Sequence, residues 1–136
     1  MAVKSAKVRA HSASAALCTV TNDRDQIIEA VFSPKAAGFT PLEIQGAALA
    51  ACIAASVRIA ARAMDLGQLG DIDVEVEAIK AEDEPSRLGR FEVVVHFSDE
   101  LDGDVQDRLI EAAEDICTIS NTLRAGDTLV VGRRAS

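Results

Sequence analysis

The sequence predicts an α+β fold, with antiparallel strands packed against one long buried helix. Three observations carry this reading. Residues 44–57 form a 14-residue stretch without a charge, too short for a membrane span of about 20 residues, and so a buried core helix. Residues 72–78 alternate strictly between apolar and acidic, and residues 91–97 nearly do, as two half-buried strands should. No linker or internal repeat interrupts the 136 residues, so the chain reads as a single domain over 1–136.

In chain order, residues 3–10, 15–21 and 26–33 read as three short strands. The run Asn22-Asp23-Arg24-Asp25 supplies a turn between the last two. A loop over 34–39 leads to Thr40-Pro41-Leu42-Glu43. These residues supply an N-cap, a proline at the first helical position and the glutamate of a capping box. The helix is expected to run to about Met64, with Gly67 as its C-cap residue. The strands at 72–78 and 91–97 read as an antiparallel hairpin around a polar loop at 81–90. Asp104 is expected to cap a second helix, whose apolar positions are Val105, Leu109, Ala112 and Ile116. Cys117 falls where that helix ends. A short helix over 120–124 and a final strand over 127–131 complete the chain.

Composition narrows the function. Acidic residues outnumber basic ones 22 to 14, aromatics make up 3% of the chain, and tryptophan and tyrosine are absent. Phosphate binding needs a basic surface and base stacking needs aromatics, so nucleic acid is excluded, and so is an anionic membrane surface. Of the 24 alanines, nine lie between Pro41 and Ala63. Alanine buries little area and permits close backbone approach, so this helix is suited to packing against a partner chain. Lys4, Lys7 and Arg9 precede an apolar stretch at 13–20, but His11, Ser12 and Ser14 keep it too short for a signal peptide. The expected location is the cytoplasm, where thiols stay reduced.

The chemistry-bearing candidates are the cysteines Cys18, Cys52 and Cys117. Their wide spacing, with no Cys-x-x-Cys and no nearby histidine, does not suit a metal site. No phosphate-binding glycine loop or nucleophile elbow is present. His96 is expected on the solvated face of its strand. Cys52 lies within the uncharged helix and Cys117 at a junction between elements, so only the fold can bring them together. Cys18, beside Leu17 and Val20, reads as a packing residue or as an alternative resolving thiol.

These residues carry a resemblance. Thr40-Pro41-Leu42-Glu43, the alanine-rich run to Cys52, the hairpin, and Cys117-Thr118-Ile119-Ser120-Asn121-Thr122-Leu123 resemble the OsmC/Ohr family over about residues 15–132. The resemblance is to its more divergent OsmC-like branch. It implies an OsmC-like fold and an intertwined homodimer with the long helices at its centre. It also implies a thiol peroxidase that reduces organic hydroperoxides without metal or organic cofactor. Cys52 would be the peroxidatic cysteine and Cys117 the resolving one, with a dithiol reductant restoring both thiols. Peroxidases of this family hold the thiolate with an arginine from the N-terminal strands, for which Arg24 and Arg9 are the candidates. A glutamate ten residues before the cysteine holds that arginine. Here that position is Leu42, and Glu43 lies nine residues before, about 180° round the helix from Cys52. Glu43 thus stands between the family role and the capping box. Gln45, seven residues before Cys52, shares its face and is expected as its polar neighbour. The alternative function is a non-catalytic dimer that binds a small apolar ligand among Phe32, Phe39, Phe91 and Phe97.

Overall fold

The computed structural model describes residues 4–135. The chain divides into two compact units, one ending at Gln45 and the other beginning at Gly46.

In the first unit, β1 (Val8–His11), β2 (Leu17–Asn22) and β3 (Ile27–Val31) form an antiparallel sheet in that order. Pairing sets the strand ends: Val8 stands opposite Asn22, and Leu17 opposite Val31. Residues 4–7 of the expected first strand therefore have no ladder partner, and its first residue, 3, lies outside the described residues. The turn forms around Asn22, whose Oδ1 accepts hydrogen bonds from the amides of Arg24 and Gln26 at 2.9 and 3.1 Å. The loop after β3 folds back on the strand. The Val31 amide donates to the Phe39 carbonyl at 2.9 Å, and Gly38 (φ 136°) lies against the Val31 side chain, where a Cβ would sit 2.8 Å from Cγ1.

Helix α1 (Pro41–Ala63) starts where the sequence places it. The Thr40 amide donates to Glu43 Oε1 at 2.8 Å, and the Glu43 amide donates to Thr40 Oγ1 at 3.2 Å, which completes the capping box. Its end differs from expectation. Asp65 (φ 58°), not Gly67, takes the left-handed position after the helix. The Leu66 amide bonds the Ala61 carbonyl at 2.9 Å and the Asp65 amide bonds Arg62 at 3.2 Å, which is the Schellman arrangement. An aspartate tolerates this backbone because its short polar side chain interacts locally.

In the second unit, β4 (Ile72–Lys80) and β5 (Leu88–Phe97) form the expected antiparallel hairpin. Its inner face presents Val74, Val76, Phe91, Val93, Val95 and Phe97 to a core of Leu49, Ile53, Val57, Ala61, Leu109 and Ala113. Although α1 has the length and hydropathy of a membrane span, this is a core helix packed against a sheet and a second helix. The Arg58 guanidinium donates to the carbonyls of Leu69 and Gly70 at 3.0 Å each, which ties the loop after α1 to the helix.

Helix α2 (Gly103–Ile116) begins before the expected cap. Asp102, not Asp104, is the N-cap residue, because its carbonyl already accepts the Gln106 amide at 3.0 Å. Helix α3 (Thr118–Ala125) is longer than the expected 120–124 and ends at Gly126 in the left-handed conformation (φ 73°). Residues 127–131 are not a strand, contrary to expectation. A strand exists through its ladder, and among the described residues none pairs with them. Leu129, Val130 and Val131 are 85, 97 and 82% exposed.

Candidate thiol site

The site lies in the second unit, where α1 faces the junction of α2 and α3. Cys117 is both the C-cap of α2 and the N-cap of α3. Its amide donates to the Ala113 carbonyl at 2.9 Å, and its extended backbone (φ −75°, ψ 113°) breaks the helix between the two segments. Its Sγ accepts from the Ser120 amide at 3.4 Å. A thiol is a weak acceptor, and serine, threonine, aspartate or asparagine is the usual residue here. Two further bonds fold α3 back on the end of α2, and a third braces α3 itself. Asn121 Nδ2 donates to the Asp115 carbonyl at 3.0 Å, and Arg124 Nη2 donates to the Glu114 carbonyl and to Asn121 Oδ1, both at 2.9 Å.

This placement sets the N-terminal turn of α3, with its unpaired amides, against Cys52. Cys52 and Cys117 are free thiols within hydrogen-bond reach of each other. Their environments push them apart. Burial pushes the Cys52 thiol up, but hydrogen bonds from the Cys117 thiol, the Ile119 amide, the Ser56 hydroxyl and the Thr118 amide outweigh it, and the net shift is downward. Cys117 is raised, first by burial and then by donating its proton towards Cys52, against the pull of the Ser120 and Ile119 amides. Cys52 is half-buried, whereas Cys117 is fully buried. The sulfur shifted downward is thus the more exposed of the two, and the one shifted upward is the buried one.

The other sequence candidates take different places. Glu43 carries the capping role, and its carboxyl lies below the usual carboxylate range because the Thr40 amide and hydroxyl bond it. Arg24 is exposed in the β2–β3 turn and Arg9 is exposed on β1, both in the first unit. The groups that act on Cys52 are neutral donors of the second unit. Gln45 is exposed, and Ser56 holds the place expected of it as polar neighbour. Cys18 is buried on β2 opposite Ala30, the packing role expected of it. His96 is exposed on the outer face of the hairpin, 3.8 Å from Glu75. Phe91 and Phe97 pack into the core, while Phe32 and Phe39 are exposed. A cleft of about 620 Å³ at the end of α1 is lined by Arg58, Arg62, Gln68, Leu69 and Asp71, and none of the four phenylalanines borders it.

The sequence reading missed Ser56 and the amides of Thr118 and Ile119. Ser56 was findable, since it lies four residues after Cys52 and hence on the same helix face. The amides were not, because their role depends on where α3 docks.

A family profile described as OsmC-like protein matches residues 34–131. Among solved structures, the organic hydroperoxide resistance protein OhrB of Bacillus subtilis is 26% identical with a TM-score of 0.70, covering 92% of this chain and 94% of that one. An OsmC-like protein from Mycoplasma pneumoniae is 21% identical with a TM-score of 0.77, covering 90 and 89%. An organic hydroperoxide resistance protein OsmC from Legionella pneumophila is 19% identical with a TM-score of 0.71, covering 91 and 92%. Among curated proteins no sequence matches.

Proposed function

The chain belongs to the OsmC/Ohr family, and from that premise we propose that it is a cysteine-dependent peroxidase that reduces organic hydroperoxides. Cys52 is the peroxidatic residue. Its thiolate attacks the outer oxygen of the hydroperoxide, the O–O bond breaks, and the leaving alkoxide takes a proton to become the alcohol. Cys52 is left as a sulfenic acid. The Cys117 thiol then attacks the Cys52 sulfur, forming the disulfide and releasing water. A dithiol reductant exchanges with that disulfide, is itself oxidised, and returns both cysteines to thiols. The reading asks no more of the compartment than that it keep thiols reduced, as the cytoplasm does.

One observation carries the reading: Cys52 and Cys117, far apart in sequence, are packed together in one cluster, one shifted towards thiolate and the other away from it. The same sulfur-to-sulfur contact that assists ionisation lets the second sulfur resolve the first. Treating the reduced protein with an alkyl hydroperoxide and counting free thiols tests this. The expected loss is two thiols per chain, abolished in Cys52→Ser. No loss, or an equal loss in Cys52→Ser, overturns it.

We further propose that the working molecule is a homodimer. The Leu129-Val130-Val131 segment has strand chemistry and, among the described residues, no ladder partner, while Ile59, Val94 and Ile116 add further exposed apolar surface.

A further inference from the structure

We infer that Arg124 is a positioning residue for Cys117: with Asn121 it latches α3 to the end of α2 and so fixes where the resolving sulfur points. The inference rests on the reading of Cys117 as the resolving thiol. Its ground is a set of hydrogen bonds that cross one non-helical residue. Cys117 stands alone between Ile116, the last residue of α2, and Thr118, the first of α3. Its φ and ψ therefore set the angle between the two helices, and with it the direction of its own side chain. Its extended backbone ends the helical ladder, which leaves the last carbonyls of α2 to other donors. Two of them accept from side chains of α3: Glu114 from Arg124 Nη2 at 2.9 Å, and Asp115 from Asn121 Nδ2 at 3.0 Å. The same arginine nitrogen donates to Asn121 Oδ1 at 2.9 Å, which orients the amide towards α2. From the other side, the Asn121 amide donates to the Cys117 carbonyl at 2.9 Å and the Ser120 amide to its Sγ at 3.4 Å.

The last turn of α2 holds no basic residue, so Arg124 also brings the cation that a helix C-terminus favours. That alone would be a capping role. The difference is that these bonds span the hinge, so loosening them frees the torsions of Cys117 itself. Ile119 and Leu123 pack against the core that contains Leu109, Ala113 and Cys117, so α3 stays docked without the latch. What is lost is the aim of the sulfur. A disulfide tolerates little misalignment, since its Cβ atoms must stand about 3.8 Å apart with a dihedral angle near about 90°.

The test is the redox equilibrium of the full-length protein in glutathione buffers, read by mass spectrometry of the Cys52 and Cys117 peptides. Glutathione disulfide takes two electrons and two protons from the pair, which gives the protein disulfide and two molecules of glutathione. The squared concentration of glutathione over that of its disulfide, at half oxidation, measures the effective concentration of one protein thiol at the other. Arg124→Ala is expected to lower this value about tenfold, or about 30 mV in potential. Asn121→Ala, which removes the Asp115 contact and the acceptor of Arg124, is expected to shift it in the same direction. Thr40→Ala, which weakens the start of α1, is expected to keep the native value. An unchanged value in both latch variants overturns the inference. A shift towards a more stable disulfide means that the latch opposes the bond, and overturns it equally. So does an equal shift in Thr40→Ala, which assigns the effect to general stability, or a native protein that forms no Cys52–Cys117 disulfide. Glutathione needs no hydroperoxide, so a protein that shows the shift but reduces no hydroperoxide refutes the proposed activity and leaves this inference standing.

Discussion

Cys117 does three things with one side chain, and each constrains the others. Its sulfur accepts from the Ser120 amide as an N-cap, donates towards Cys52, and in the proposed cycle attacks that sulfur. A stronger cap was available, since serine or aspartate there accepts better than a thiol. A site that breaks a local rule in this way is where function is to be sought. The two roles separate by mutation. Cys117→Ser keeps an oxygen for the Ser120 amide, and Cys117→Ala does not, so denaturant melts should show the Ala variant less stable than the Ser variant by about 1 kcal/mol. Both variants should accumulate a Cys52 sulfenic acid after peroxide treatment, detectable by dimedone. Equal stability of the two contradicts the capping role. Legibility at this scale was uneven. Both cysteines could be picked out from their positions. The amides beside Cys52 could not, because a backbone amide looks the same at every residue and only its direction in space gives it a role.

At the scale of elements, the ends of α1 show what a local sequence can specify. The capping box at Thr40 and Glu43 was readable because all its atoms lie within four residues. The C-terminus was misread because glycine is the commonest left-handed residue, yet Asp65 takes that backbone two residues earlier. The cap also predicts a pH dependence. The Glu43 carboxyl lies below the ordinary carboxylate range, so its contribution to stability is fully present above that range and is lost as pH falls through the lowered folded value. Melting curves of the native protein and Glu43→Ala should therefore differ at neutral pH and converge in acid. A difference that persists in acid contradicts an ionised cap. Thr40→Ala, which removes the reciprocal acceptor, should cost about 1 kcal/mol at neutral pH.

For the whole molecule, the α+β class, the hairpin and the buried helix followed from periodicity, since an apolar run without charge and a strict alternation each allow one solution. The strand expected at residues 127–131 did not form, and the reason is physical: a strand's hydrogen bonds belong to its neighbour, which no local pattern contains. The proposed homodimer would supply that neighbour. Sizing with light scattering at micromolar concentration should give twice the 14.3 kDa chain mass, and removal of the residues after Gly126 should weaken the association. A monomer at that concentration contradicts the dimer and leaves the exposed apolar tail unexplained.

The central claim is that Cys52 is oxidised first and Cys117 resolves it. Mapping the disulfide by mass spectrometry after one equivalent of alkyl hydroperoxide tests it most directly. The account predicts a Cys52–Cys117 disulfide with Cys18 still a thiol, and a bond to Cys18, or three unchanged thiols, would contradict it.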